Sequence, residues 1–475
     1  MKKAASVLRK FFFTGIGLVL IGLSRFVFNE VSQLKYGLEH TGQLNIALSL
    51  AILMSMPAVT SFVPSLLRFV ANARGEGDEG RAHKITSLLG RLTVVVLALI
   101  ALAMFLYRDE IVASRQIKVI HVYYAISVLL AGGTYQFVRN LCYAMGKVGT
   151  YSALEFVAGL GFGSVLLLLV LLDLPDHLLL AFVVSHLIFA VGGLFLFRRP
   201  PAQPAKKPVE YSAIFAYSFW AFIATSASWG IRELSVIISA DFADLKGAAH
   251  IGWCVAFLTP MQFFPRVIRT VIFADTAEKT GRGENEKAAA SVSEVSHWIA
   301  TFNLPFCGLL VLFAPELLEM LTTNTNPEFV MVLRFMIIAI AFDTLSTSAS
   351  SALSGAGHIR LIMVLSSTGL LAAITVWLGL GLDSGVLGVS LGLLSASVIR
   401  GAGVVVAGWR KLSITLSRRP FHLIMIVILL GATMAASQMG ISLYACGAFY
   451  FVGVLVVIRV DARELFAKIQ QRIQT

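Results

Sequence analysis

The sequence predicts an all-α polytopic membrane protein of about 14 transmembrane helices. They are expected to form two parallel six-helix lobes, related by a pseudo-twofold axis along the membrane normal, with two further helices at the C-terminal end. Three observations lead there. Hydrophobic residues make up 57% of the 475 and charged residues only 13%, against about 25% charged in soluble proteins. The apolar runs are continuous over the roughly 20 residues that carry a helix across a hydrocarbon core, where a barrel would alternate in units of about ten. A charged octapeptide also recurs in equivalent settings in the two halves of the chain.

The first segment, 11–32, follows the basic tail MKKAASVLRK. Its run is too long for a secretory signal and no A-x-A cleavage pattern follows it, so it is expected to stay as an anchor. Segments 43–67, 88–107, 119–141, 151–172 and 177–197 complete the first set of six. The stretch RRPPAQPAKKPVE, residues 198–210, is Pro-rich and basic and reads as a semi-rigid linker. Beyond it come 212–237, 248–265, 297–319, 329–353, 361–381 and 385–407, then 421–438 and 441–459. The expected organisation is an N-lobe over 1–199, a cytoplasmic linker over 200–210, a C-lobe over 211–411, and helices 13 and 14 with a cytoplasmic tail over 412–475.

The net charge of +12 does not point to nucleic acid. Most of the 38 Lys and Arg fall on one side of these spans, with only Lys35, Arg108, Arg115, Lys118 and Lys246 on the other. By the positive-inside rule both termini are expected to be cytoplasmic; the expected location is the cell inner membrane, with membrane lipids as solvent and partners. The outer loops, such as YRDEIVASRQIK and TTNTNPEF, are too short for a catalytic domain, so no enzyme is expected. Cys142, Cys254, Cys307 and Cys446 fall in or at the ends of apolar segments with no C-x-x-C spacing, and read as small packing residues. Neither a metal nor a cofactor is called for, and His186 and His250 read as structural histidines.

The octapeptide GEGDEGRA at 75–82 aligns with GRGENEKA at 281–288, matching Gly75 to Gly281, Gly77 to Gly283, Asp78 to Glu284 and Arg81 to Lys287. At nearly the same offset Arg25 matches Arg232, Gly42 matches Gly247, and AMGKVG around Gly146 matches GAGHIR around Gly357. Pro64 and Arg68 match Pro265 and Arg269. Several matches in register indicate duplication. With an even number of spans in each half, the repeats are parallel, an architecture that can rock about a site between lobes. The octapeptide then marks the turn after the second helix of each lobe, most simply as a solvated loop pairing with neighbouring tails. The prolines at 57, 64, 260 and 265 read as kinks or hinges near equivalent helix ends.

An ionisable side chain at mid-bilayer costs on the order of 2.5 to 3.5 kcal/mol, so such residues face the bundle interior or a wet cavity. The candidates for substrate binding are Arg25, Glu30, Arg232, Glu233, Arg334 and Asp343. Arg25 and Arg232 would face one another across the pseudo-axis, and two guanidinium forks suit an anionic ligand, phosphate in particular. Against this stands simple pairing of Arg25 with Glu30 and of Arg232 with Glu233. Arg334 and Asp343 point in opposite directions on one helix, and Arg400 is placed to reach toward the cytoplasmic surface. The Ser and Thr of DTLSTSASSALSG, residues 343–355, serve either close packing or a sugar-lined cavity.

The patterns GIGLVLIGLSRFVFN, GLEHTGQLNIALSL, LLRFVANARGEGDEGRA and SALSGAGHIRLI together resemble the polysaccharide-transporter family, Wzx-like lipid-linked oligosaccharide flippases of the multidrug, oligosaccharidyl-lipid and polysaccharide exporter superfamily. The resemblance covers essentially the whole chain. It implies that an undecaprenyl-diphosphate-linked glycan, an O-antigen or exopolysaccharide repeat unit, is turned from the cytoplasmic to the outer leaflet by alternating access without covalent chemistry. It places Arg25 where relatives carry a cation for the diphosphate. It implies a polysaccharide polymerase, ligase or export protein as a partner, and no nucleic acid.

Competing readings are a multidrug or small-molecule antiporter, from the multidrug branch of that superfamily or from the major facilitators, and a membrane glycan polymerase or ligase. ANARGEGDEGRAHK fits the major-facilitator loop after helix 2 poorly. A cation exporter would need an acidic cavity where these central residues lean basic, and a polymerase would need a sizeable outer loop.

Overall fold

The computed structural model describes residues 23–196, 204–259, 284–321, 326–416, 420–439 and 442–474, with isolated positions between 261 and 276. The basic N-terminal tail, the first half of the first segment, linker residues 198–203, and Pro260, Pro265, Arg269, Gly281 and Gly283 lie outside the described residues.

Among the described residues every ordered element is helical. In chain order they are α1 (23–36), α2 (Leu38–Ser65), α3 (Ala71–Gly75), α4 (Glu79–Leu106), α5 (Arg108–Arg115), α6 (Val119–Ala144), α7 (Val148–Leu171), α8 (Leu180–Leu196), α9 (Tyr211–Ala243), α10 (Leu245–Leu258), α11 (Asn285–Leu312), α12 (Ala314–Leu321), α13 (Pro327–Gly355), α14 (Ile359–Leu412), α15 (Pro420–Gln438) and α16 (Leu443–Gln474). Nine described helices are long and apolar enough to cross a membrane, or ten if α5 and α6, bent by 114°, count as one broken span. Three shorter apolar helices, Leu245–Leu258, Ile424–Ser437 and Leu443–Arg459, and the described half of the first segment account for the rest of the predicted set. The chain is a multi-pass membrane protein. The apolar windows of α4 and α7 are only 28% buried, and they leave Leu99, Leu102, Leu167 and Leu171 more than half exposed, an apolar surface suited to lipid.

Local chemistry explains the breaks. Pro57 and Pro64 lie inside α2, which passes directly into a π-helical segment at Leu66–Val70. Proline removes a backbone donor, and the register slips to the wider π turn just beyond it. The expected kink therefore takes the form of a change of helical pitch. In α14 the backbone reverses at Gly385 (φ 52°, ψ −125°), a conformation that glycine adopts without strain. Gly392 then lies against Trp377, where a Cβ would come within 2.3 Å of Nε1.

The duplicated turns share geometry. Gly146 (φ +67°) and Gly357 (φ +92°) both adopt the left-handed region. Gly146 N–H donates to Tyr143 O and Lys147 N–H to Cys142 O. Gly357 N–H likewise donates to Ser354 O and His358 N–H to Leu353 O. Both are Schellman terminations with the same pair of hydrogen bonds, so the match between AMGKVG and GAGHIR extends to the backbone.

The chain divides into two compact units. The first runs over Phe12–Pro260 with Leu380–Val389 and contains α1 to α10. At its centre α2 packs most extensively on α9 and α6, and Leu44, Ile46, Ala47 and Ala51 are shut off from solvent. The second holds Met261–Gly379 and Ser390–Thr475. There α11 packs against α13, and α16 against α15, around Leu312, Ile426, Cys446 and Tyr450. All four cysteines are free and buried.

Candidate functional site

In the first unit the polar residues of α1, α2 and α9 collect on one interface. Arg25 donates from Nη1 to Glu233 Oε1 (2.8 Å) and from Nη2 to Glu233 Oε2 (3.0 Å), a bidentate fork. Ser49 Oγ donates to the same Oε2 (2.7 Å) and accepts from Arg25 Nη2 (3.2 Å). Side-chain exposure is 11% for Arg25 and 10% for Glu233, so both charges are compensated inside the bundle. One group is left over: Arg25 Nε is buried and finds no acceptor.

Around this pair runs a polar track. Asn29 Nδ2 donates to Arg25 O (2.9 Å), and Asn45 Nδ2 to Asn29 Oδ1 (2.6 Å). Further along the α2–α9 seam, Thr60 meets Ser226 (2.9 Å) and Ser65 meets Ser218 (2.6 Å). In a membrane, where apolar burial gives helices little reason to associate, such pairs and the small residues around them hold helices together.

The expected pairings are corrected in two respects. Arg25 meets Glu233, the residue after Arg232, in place of Arg232 itself. Two guanidiniums facing one another in a low dielectric would repel, and a one-residue rotation of α9 exchanges that repulsion for an ion pair. Glu30 is not the partner of Arg25 either; its carboxylate accepts from Trp253 Nε1. Trp253 in turn stacks on Phe257, with ring centroids 5.1 Å apart.

In the second unit Arg400 Nη2 donates to Asp343 Oδ1 (2.6 Å), with 19% and 10% of the side chains exposed. Arg400 is therefore turned to Asp343, not to the membrane surface as its position suggested. Arg334, on the same helix as Asp343, donates from Nε to Val311 O (3.1 Å) and stands apart from that pair. Ser346 and Thr347 return to Asp343 O, Ser351 returns to Thr347 O, and Ser348 meets Ser296 of α11. These four hydroxyls of DTLSTSASSALSG are thus used within and between helices.

A further buried cluster in α6, α7 and α8 has no counterpart among the expected substrate-binding residues, and it takes in His186, which was read as structural. Tyr135 donates to Glu155 Oε1 (2.8 Å), with Arg139 Nε 3.8 Å from the same oxygen. The guanidinium lies over the rings of Tyr135 and Tyr151, at 5.9 and 5.7 Å. His186 stacks on Tyr135 at 4.8 Å, and its Nδ1 has no partner. The signal was there in QFVRNL and SALEFV, each a charge within an apolar run. Arg139 was missed because it lies near the end of its segment, where it counted with the inner-side charges.

The octapeptide is a latch. Asp78, only 2% exposed, caps α4 by accepting Arg81 N–H at Oδ1 (2.9 Å). Its Oδ2 accepts the backbone N–H of Lys206 and of Lys207, both at 3.0 Å. Lys207 Nζ meets Glu76 (2.8 Å) and Lys206 Nζ meets Gly77 O (3.0 Å). The loop pairs with a neighbouring segment, as expected, and that segment is the linker; Asp78 itself is buried. Burial opposes ionisation of Asp78, but the N–H donors of Arg81, Lys206 and Lys207 outweigh it and hold the carboxyl below its usual range. A depressed folded value means that this stabilisation is complete above the unfolded value of about 3.9 and is lost as pH falls through the folded one. Asp78→Ala is expected to free the linker, so that trypsin cleaves the Lys206–Lys207 bond several-fold faster than in the parent while the spans stay protected. Unchanged cleavage would show that the latch holds nothing.

The sparse cations of the opposite end are paired as well: Lys35 with Asp173 (3.2 Å), Arg115 with Asp241 (2.7 Å), Lys118 with Asp176 (2.8 Å) and Lys246 with Glu39 (3.7 Å).

No protein-family model and no curated protein matches the sequence. Solved structures do match its fold. A point mutant of the Vibrio cholerae MATE transporter VcmN superposes with a TM-score of 0.64 at 17% identity, over 88% of this chain and 99% of that one. The eukaryotic MATE transporter AtDTX14 gives 0.65 at 16%, over 86% and 97%. An inward-facing multidrug resistance MATE family transporter of the MOP superfamily gives 0.59 at 13%, over 84% and 98%. The chain therefore has the two-lobed helical fold of MATE transporters.

Proposed function

We propose that the chain is a transporter that moves an amphiphile with an anionic head across the membrane by alternating access, and that Arg25 receives the head. The observation that carries this reading is the Arg25 guanidinium: buried, paired with Glu233, and still holding an unused Nε–H. A buried donor without an acceptor is costly. A phosphate or carboxylate oxygen would satisfy it, and would compete with Glu233 for the fork. The likeness to MATE transporters supports transport. The motif resemblance to polysaccharide transporters supports a lipid-diphosphate-linked glycan as the amphiphile, in the inner membrane with both termini cytoplasmic.

A second reading is favoured by the same ion pair and by the MATE neighbours: a small-molecule exporter in which a cationic solute displaces Arg25 from Glu233. The two differ in which half of the pair meets the substrate. In cells lacking the chain, restored expression is expected to clear lipid-linked glycan from the inner leaflet. Glu233→Gln should weaken this clearance less than Arg25→Gln, because only Arg25 meets the head group. No clearance, together with efflux of a cationic dye that Glu233→Gln abolishes, would replace this reading with the second.

A further inference from the structure

Away from the Arg25 site, the first unit brings His40, His121 and Asp176 together. They come from the first turn of α2, the first turn of α6 and the short 3-10 turn Pro175–His177 between α7 and α8. One donor atom from each lies within 4.8 Å of the others. His121 Nε2 is 3.3 Å and His40 Nδ1 is 3.8 Å from the same oxygen, Asp176 Oδ1. The rings of His40 and His121 meet edge to face at 5.7 Å.

Two features make this more than an accidental cluster. The first is that His121 has no solvent exposure and neither of its ring nitrogens has a hydrogen-bond partner. A fully buried imidazole that makes no well-formed hydrogen bond, with only the Asp176 carboxylate 3.3 Å from its Nε2, is an under-satisfied polar group. The second is the tautomer of His40. Its Nε2 lies 3.1 Å from Pro175 O, and a carbonyl oxygen can only accept, so Nε2 carries the hydrogen. In the neutral ring that leaves Nδ1 as a lone pair directed at Asp176. A lone pair facing a carboxylate is repulsive unless a cation sits between them. Fixing a ring by donating its other N–H to a backbone carbonyl is also how metal-bound histidines are oriented.

We infer that His40 Nδ1, His121 Nε2 and Asp176 Oδ1 form a site for a divalent transition-metal ion of the zinc type, two imidazoles and one carboxylate with a fourth position open. With metal–ligand distances of about 2.0–2.1 Å, adjacent donors of a tetrahedron stand about 3.3 Å apart. The His121–Asp176 separation already has that value, while the His40–Asp176 separation of 3.8 Å and that between the two imidazoles, within 4.8 Å, would close onto the ion. Imidazole and carboxylate suit zinc and its neighbours better than the all-oxygen sets preferred by magnesium or calcium.

Lys118 is the competitor. Its Nζ lies 2.8 Å from both oxygens of Asp176, neutralising the carboxylate that the metal would use. The lysine is 53% exposed and can withdraw into solvent. Lys118 and the metal therefore exclude one another, and a bound ion would staple three otherwise separate helix ends. The other charged and titratable groups near this end include Tyr36, whose ring meets that of His40 edge to face at 5.9 Å, the Tyr124–His177 pair (2.5 Å), and the Lys35–Asp173, Lys246–Glu39 and Arg115–Asp241 pairs. The grouped ligand atoms come from His40, His121 and Asp176 alone among the described residues.

The test uses the purified full-length protein in detergent, titrated with Zn2+ by calorimetry and followed by thermal melting, with Mg2+ as the comparison and Co2+ for its visible spectrum. One equivalent of Zn2+ is expected to bind and raise the melting temperature, Mg2+ to do neither, and Co2+ to show a tetrahedral band. His40→Gln and Asp176→Asn should each raise the dissociation constant by more than the roughly 10- to 100-fold that loss of an outer hydrogen-bonding partner costs. Lys118→Ala should lower it several-fold. That last result separates a site from a merely structural cluster, because a lysine that only supported the fold would not oppose the metal. No saturable binding, binding unaffected by His40→Gln, or weaker binding in Lys118→Ala would overturn the proposal. So would a melting temperature that responds to pH between about 5 and 7 but not to zinc, which would make the cluster a proton site.

Discussion

Arg25→Ala is expected to cost about 3–5 kcal/mol of folding stability and to abolish transport. It leaves Glu233 buried with Ser49 as its only remaining donor among the bonds described above, and an uncompensated charge in a low-dielectric interior is what makes breaking such a pair so expensive. The pair Arg25→Met with Glu233→Met removes both charges and keeps the volume, which is near neutral or stabilising for buried ion pairs. The double variant should therefore regain most of the lost melting temperature in detergent while transport in proteoliposomes stays at background. Recovery of stability without recovery of transport assigns the pair to function. If transport returned with stability, the pair would be a fastening of α1 to α9 and nothing more, and Arg25 would leave the proposed mechanism.

Much of the fold was legible because the bilayer imposes a simple rule. A continuous apolar run of about 20 residues has one way to satisfy its backbone, so the segments could be placed from hydropathy alone. The repeat was legible for a similar reason: Gly146 and Gly357 mark turns whose left-handed geometry glycine adopts without strain, so a chemical requirement survives as a letter in the sequence. What failed was the step from helix to partner. Arg25 and Arg232 align in the repeat, and alignment suggested that they meet. Neighbouring positions on a helix point about 100° apart, and the sequence does not say which of Arg232 and Glu233 turns inward.

The same limit hid Glu155 with Tyr135 and Arg139, and His40 with His121 and Asp176. Tyr135 and Arg139 share α6 but Glu155 comes from α7, and His40, His121 and Asp176 come from three elements far apart in the chain, with none of the short spacings by which metal or catalytic sets are recognised. Asp78 shows the opposite case. The octapeptide was legible as a turn, but the second oxygen of Asp78 serves the linker, which no local pattern encodes.

Gly42→Ala is expected to be among the most damaging single-methyl changes in the chain. Gly42 lies in the second turn of α2, where that helix crosses the start of α10, and a Cβ there would stand 2.0 Å from Leu245 O and 2.9 Å from Leu245 C. Both are backbone atoms, so no rotamer change relieves the overlap; one helix must move by more than an ångström. Leu245 cannot easily follow, because Asp244 caps α10 by accepting Gly247 N–H (2.9 Å), and Gly247 has no room of its own, with Ala243 Cβ 2.8 Å from where its Cβ would be. Overpacking of this kind costs about 1–3 kcal/mol where side chains can adjust, and more where they cannot, so a loss of about 3 kcal/mol or above is expected. The control is Gly163→Ala in α7, where a Cβ meets nothing within 4 Å and alanine should add roughly 0.5–1 kcal/mol as the better helix former. Membrane-inserted yield and melting temperature should fall sharply for the first variant and hold or rise for the second. Equal behaviour of the two would mean that α2 and α10 do not cross at Gly42 as closely as the structure has them.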